Sequence, residues 1–292
     1  MVRSSRSFEE GRRRIGFIFF LPMLAFMAVF LIAPMLASLV YSFSDYNLLS
    51  APRFVGLRNY VRLFTEQPFW NSLRVTVIYV AVRVSVLIAL GLLMSVVIHQ
   101  GIAGGNLFQS IYFIPYVFPL AVTAIVWKLI FRPFGLAEQL TSVFGIGRIS
   151  WLTSGSAALA AVTITTVWSS VGYYSVLFLA GLQSISAEVL EAALIDGAKG
   201  LVRFRRIILP LLRPTMFYVT VVAVVNTLRG FPPFLVMTKG GPGEATNVLG
   251  LMIYEQGFAF LKMGYASALS VVLLVLVMAF ALIQRRIQNY EG

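Results

Sequence analysis

Cysteine is absent from this chain of 292 residues, and histidine occurs once, at His99. The first absence removes disulfide frameworks, thiolate zinc sites and cysteine nucleophiles. The second excludes haem or metal centres built on paired histidines. Charge is scarce as well. Only 12% of the residues are charged, where a soluble domain carries about a quarter. Lysine occurs at Lys128, Lys199, Lys239 and Lys262 alone, and none of the four is followed by Ser or Thr. A phosphate-binding G-x-x-x-x-G-K-[ST] loop is therefore excluded, and with it a nucleotide site of that type in this chain.

What is present is apolar surface. Hydrophobic residues make up 59% of the chain, with 24 Phe and 12 Tyr, and the mean hydropathy is +0.87. Six runs are long enough, at about 20 residues each, to cross roughly 30 Å of hydrocarbon. They cover Ile15–Tyr41, Leu73–Ile98, Leu107–Phe131, Ala157–Leu182, Leu211–Leu228 and Tyr265–Gln284. Each is apolar on all sides, unlike a soluble amphipathic helix. Alternation in ~10-residue units is missing, which argues against a porin-type barrel. The expected fold class is an all-α integral membrane protein with six transmembrane helices. The first run follows Arg3, Arg6, Arg12, Arg13 and Arg14. It is nearly twice the ~7–15 residues of a signal-peptide core, and it reads as an uncleaved membrane helix. Pro22, Pro34, Pro115 and Pro119 fall inside runs and predict kinks.

The net charge of +12 is explained by orientation rather than by nucleic acid. Twelve cations lie at the N-terminus, in and beside the 183–210 segment, and at Arg285 and Arg286; eight lie on the opposite side. The dense clusters abut span ends on one side, which is predicted to be cytoplasmic, together with both termini. The expected organisation is a basic segment over 1–14, a first helix and external loop over 15–72, a five-helix core over 73–287 and a tail over 288–292. The external loop contains "FVGLRNYVRLF", read as a short interfacial helix, and a second external loop contains the turn-rich "TKGGPGEAT".

The segment "AEVLEAALIDGAKGLVRFRRIILPLLRP" interrupts the apolar pattern between the fourth and fifth runs. Glu188 and Glu191 suit the first part of a helix, where carboxylates complement the dipole. Gly197 and Gly200 end it. A second helical piece sets Val202, Phe204 and Ile208 against Arg203, Arg205 and Arg206, with Pro210 and Pro214 at the entry to the next span. Neither piece is long enough to be stable alone in water. An amphipathic loop that binds anionic lipid head groups and a docking element for another protein both fit this pattern.

Glu191-Ala192-Ala193, Asp196-Gly197-Ala198, Phe204, Ile207, Leu209-Pro210 and Pro214 resemble the "EAA" motif of ABC-importer permease subunits. "SDYNLLSAPRFVGLRNYVRLF", "FWNSLRVT", "WKLIFRPFGLAEQL", "VLFLAGLQSIS" and "MTKGGPGEATNVLGLMIYEQGF" are similar to further segments of the carbohydrate-type members. Roughly residues 15–285 resemble one of the paired permeases of binding-protein-dependent sugar importers of the maltose and glycerol-phosphate branch. Ser186 stands where many members have Pro, and no loop is long enough for the large external domain of some maltose-type members.

The resemblance implies a cytoplasmic coupling helix at about 187–210 that docks in a groove of an ATPase. The residues implied in docking are Glu188, Glu191, Ala192, Ala193, Asp196, Gly197, Arg203, Phe204 and Pro210. It also implies a second permease, two ATPase subunits that bind ATP and Mg with no cofactor in this chain, and an external solute-binding protein. The expected location is a bacterial or archaeal cytoplasmic membrane. The transport reading involves no covalent chemistry. A stand-alone secondary transporter would need ion-coupling carboxylates in its spans, and none is there. An integral-membrane enzyme would need a catalytic cluster near an interface, for which one His and no Cys are poor material.

Within the spans, Arg83 lies near mid-membrane, where charges line cavities or are satisfied by packing. Trp168, Ser169, Ser170, Tyr173 and Tyr174 in "TTVWSSVGYYSVLF", with Asn226 as a further buried polar group, combine aromatic faces and hydroxyls as a sugar path requires. The same hydroxyls also suit small-residue helix packing. Lys128 and Arg229 sit near external span ends, where snorkelling accounts for them.

Overall fold

The computed structural model describes residues 19–145 and 148–290. The basic segment 1–14 and the start of the first run lie outside them, as does the end of the tail. Five helices are long and apolar enough to cross a membrane, or six when one bent pair counts as a single span. The chain divides into two compact units, residues 1–65 with 253–272, and residues 66–252 with 273–292.

The first unit opens with α1 (Phe19–Tyr41), none of whose most apolar stretch is buried. It contains a wide π turn at Ala28–Ile32. Pro34 follows two residues later, and its missing N–H cannot close an α turn on the carbonyl of Phe30. Two short strands, β1 (Ser44–Asp45) and β2 (Arg53–Phe54), pair antiparallel. The expected interfacial helix is α2 (Arg58–Thr65). It is anchored by Asn59 Nδ2, which donates to the Ser42 and Ser44 carbonyls at 2.9 Å each, and by fully buried Leu63. Arg62 lies over the Tyr265 ring, 4.7 Å from its centroid.

The second unit is a bundle around α3 (Gln67–His99) and α7 (Gly155–Gln183), the most extensively packed pair. At about 1.5 Å per residue, the 33 residues of α3 span about 50 Å, more than the hydrocarbon requires. Val84, Leu87, Tyr174, Phe178, Val219, Ala223 and Val224 form its core. Close approach is set by small residues, as membrane bundles require. A Cβ at Gly172 would overlap the Tyr112 carbonyl of α4.

The third predicted span is not one helix. It is α4 (Gly105–Val117) and α5 (Leu120–Phe131), bent by 98° at their junction. Phe118 is extended, with ψ 141°, because the residue before a proline is driven out of the α region, and Pro119 then caps α5. After α6 (Leu136–Val143) and α7 come α8 (Ala187–Ile195) and α9 (Gly200–Arg203). α9 runs through a second π turn, Phe204–Ile208, into Leu209–Leu211. Pro210 again lies two residues beyond the wide turn. The fifth span is longer than predicted and broken near its end, into α10 (Arg213–Arg229) and α11 (Pro232–Met237). α12 (Leu249–Tyr254) and α13 (Met263–Tyr290) complete the chain.

Candidate functional site

Two regions carry the residues singled out in the sequence. The first is the charged segment. Ser186 caps α8, its hydroxyl accepting from the Val189 N–H at 3.3 Å. A serine thus supplies the acceptor that a proline at this place could not. The helix closes on a paired bond pattern. Gly197 N–H donates to the Leu194 carbonyl at 3.1 Å, and Ala198 N–H to the Ala193 carbonyl at 2.9 Å. Gly197 has φ +81°, the left-handed conformation this closure needs and that glycine adopts without strain. Ala193 is the one buried residue of α8, at 5% exposure. Glu188, Glu191, Ala192, Asp196 and Gly197 are exposed, as are Val189, Leu194 and Ile195, the last at 87%.

Pro210 is exposed, and Phe204 is half-buried. Arg203 departs from the expected grouping with Arg205 and Arg206 on an outward polar face. Those two are exposed, whereas Arg203 is half-buried and its Nε is covered, with no hydrogen-bond partner among the described residues. The π turn at Phe204–Ile208 holds more residues per turn than an α turn, so side-chain directions before and after it do not follow one 3.6-residue period.

The second region lies at the centre of the bundle. Arg83, in the middle of α3, is 6% exposed. Its Nη1 donates to the Thr227 hydroxyl of α10, and its Nη2 to the Ser170 hydroxyl at 2.8 Å and the Thr166 carbonyl at 3.4 Å, both on α7. Three helices therefore meet on one guanidinium whose hydrogen bonds all go to neutral acceptors. Each acceptor hydroxyl also donates within its own helix, Ser170 to the Thr166 carbonyl at 2.5 Å and Thr227 to the Ala223 carbonyl at 2.6 Å. Tyr79 donates to the Thr166 hydroxyl at 3.0 Å. Thr166 and Thr227 were not picked out in the sequence, and Ser170 was picked out as a hydroxyl of the solute path rather than as a partner of Arg83. An arginine in a span without carboxylates requires neutral acceptors, but their positions follow only from which helices touch.

The aromatic candidates line α7. Tyr173 stacks on Tyr116, with centroids 4.6 Å apart and planes 9° from parallel, and stands edge-on to Tyr174 at 5.2 Å. Trp168 packs edge-on to Trp127 at 5.4 Å, and Trp127 stacks on Phe131. Tyr116, Trp127 and Phe131, from the bent pair, are additions to the predicted set. Tyr174 is buried, and its hydroxyl accepts from Asn226 Nδ2 at 3.4 Å. Asn226 itself is exposed, contrary to the buried position expected of it, because it sits one residue before Thr227, which takes the inward place. Ser169 is buried, and its hydroxyl donates to the Thr166 carbonyl at 3.1 Å. Lys128 donates to the Val236 carbonyl at 2.9 Å.

A multi-span helical bundle with a polar centre, a row of half-open aromatic rings beside it and a short, capped helix exposed at one end has the build of a membrane transport subunit. The chain belongs to the family described as binding-protein-dependent transport system inner membrane component, whose model matches residues 87–289. It is a multi-pass permease subunit, not an enzyme. It is 33% identical over 292 residues to the trehalose/maltose transport system permease protein MalF of Thermococcus litoralis, covering 99% of this chain and 98% of that one. It is also 33% identical over 275 residues to the sn-glycerol-3-phosphate transport system permease protein UgpA of Yersinia pestis, covering 93% of each. In fold it matches a chain of the crystal structure of a bacterial alginate ABC transporter in complex with an alginate pentasaccharide-bound periplasmic protein. The TM-score is 0.84 at 20% identity, over 97% of this chain and 96% of the other.

Proposed function

We propose that this permease carries a sugar or sugar-like solute inward. It forms the path with a second, homologous permease and receives the solute from an external binding protein. Two ATPase subunits, which bind ATP and Mg, dock on the charged segment, and their closure drives alternating access in a bacterial or archaeal cytoplasmic membrane. Both termini are cytoplasmic in this reading. The observation that carries it is the nearly full-length similarity to permeases named for trehalose/maltose and glycerol-3-phosphate transport. The exposure of α8, which opens Val189, Leu194 and Ile195 as well as its carboxylates and is held by one buried alanine, supports docking there. Gly197 ends the helix and turns the chain toward α9.

The stacked Tyr116 and Tyr173, with Trp168 and Tyr174 on the same helix as Tyr173 and Asn226 reaching Tyr174 from α10, support a path for rings that stack and hydroxyls that hydrogen-bond. A second reading, an anionic solute such as a glycerol phosphate ester, is favoured by the central cation Arg83, whose bonds all go to neutral groups. The test is uptake and ATP hydrolysis by the reconstituted complex with labelled maltose, trehalose and glycerol-3-phosphate. Gly197→Asp and Glu191→Lys are expected to abolish uptake and to separate it from ATP hydrolysis. Normal coupled uptake in both variants would sink the docking assignment, and transport of none of the three solutes would sink the solute class.

A further inference from the structure

The end of α3 beyond Leu87, the end of α7 and the α9 arm enclose a cleft of about 850 Å³. That is within the roughly 300–1,000 Å³ of small-molecule sites. Its wall is apolar, built of Ala89, Leu93 and Val96 from α3 and of Leu201 and Phe204 from the arm. Leu201 is 67% exposed and Ala89 is exposed, so this wall is not closed by the rest of the bundle. One strongly cationic side chain lines it. Arg203 presents a guanidinium whose Nε is covered but makes no hydrogen bond among the described residues. His99 and Gln100 stand at the same end, and Lys199, Arg205 and Arg206 are exposed nearby in sequence. Among the described residues, no carboxylate lines the cleft.

We propose that this cleft is a binding site for an anionic phospholipid of the cytoplasmic leaflet. Its acyl chain lies along the α3 wall, and its phosphate is held by Arg203. A free phosphate has no use for the apolar wall, and a neutral lipid brings no counter-charge to the Arg203 guanidinium that lines it; an amphiphile with a negative head answers both. Basic pockets between span ends on the cytoplasmic side take anionic head groups for this reason, and a charge-assisted bond from Arg to phosphate is among the stronger hydrogen bonds available. The two pieces of the charged segment then divide their partners. α8 leaves most of its residues exposed for a protein partner, and the α9 arm closes over a lipid. The site rests on the cytoplasmic placement of this end in the proposed function.

The test is native mass spectrometry of the complex, purified in mild detergent from membranes containing phosphatidylglycerol. A retained phosphatidylglycerol is expected in the parent complex and in Arg203→Lys. Most of it is lost in Arg203→Gln, which removes the charge, and in Ala89→Trp, which fills the cleft without touching a charge. Equal retention in all four proteins, or retention by the isolated chain but not by the complex with its ATPases, overturns the site. The second result would mean that a protein occupies the cleft. A cysteine at Arg206, tested with an impermeant maleimide on intact cells, separates the two readings. Labelling from outside overturns the orientation and the lipid site together, whereas labelling only after permeabilisation with unchanged lipid retention overturns the lipid site alone.

Discussion

Arg83 shows how a charge is carried through a membrane bundle without a counter-charge in contact. Its hydrogen bonds go to two hydroxyls and a carbonyl on α7 and α10. Each hydroxyl keeps a bond to its own helix, so removing the arginine strands no buried donor on its partners. What is lost is volume and a desolvated cation. Arg83→Met, which keeps most of the volume, is therefore expected to leave thermal stability in detergent within about 1 kcal/mol of the parent or to raise it. Arg83→Ala opens a cavity and is expected to cost about 2–4 kcal/mol. Equal and large losses in both variants would show that the charge, not the packing, holds the three helices. The sequence made Arg83 conspicuous but hid its partners. Ser170 stood out only as a hydroxyl of the solute path, Thr166 and Thr227 are ordinary hydroxyl residues in apolar runs, and only the contact of three helices selects them as partners of Arg83. Asn226 illustrates the same blindness. In a helix apolar on all sides, no periodic pattern says which of two adjacent polar residues points inward.

At the scale of elements, hydropathy made the spans legible because each must satisfy its own backbone within lipid. Their interruptions were less legible. Pro119 was visible as a kink, but a hydropathy window averages across Phe118, and the 98° turn arises from one extended residue. The direction of Arg203 was hidden by a π turn that no local propensity announces. α8 was the most readable element, since its serine cap, early glutamates and terminal glycine each act locally. Its exposed Ile195 allows a clean separation of folding from docking. Ile195→Asp at an 87% exposed position is expected to change the stability of the chain by less than about 0.5 kcal/mol. The same change is expected to weaken co-purification of the ATPase subunits at least tenfold, since it replaces an exposed apolar side chain with a further carboxylate beside Glu188 and Glu191. Undiminished co-purification would move the docking surface elsewhere.

For the whole molecule, the natural absence of cysteine turns topology into a direct measurement. Single cysteines at Lys239 and at Arg205 are both exposed. The first is expected to react with an impermeant maleimide on intact cells, and the second only after permeabilisation, as the distribution of cations requires. The opposite pattern would invert the chain and remove the ATPase-docking reading with it. Family membership was legible from the charged segment and its flanking motifs, because docking to a conserved kind of partner fixes residue types over many positions. The solute class was not, because in the proposed function recognition of the solute rests on a few side chains brought together from α4, α7 and α10.

The hydroxyls around Arg83 have one more consequence. Ser170 and Thr227 act as bearings rather than bolts, since each oxygen turns a lone pair toward the guanidinium while its proton stays engaged at home. Drawing α3 away from α7 and α10 would leave a single group, the guanidinium, in search of company. Whatever can reach it when the helices part, whether water or a passing anion, sets how readily this junction opens.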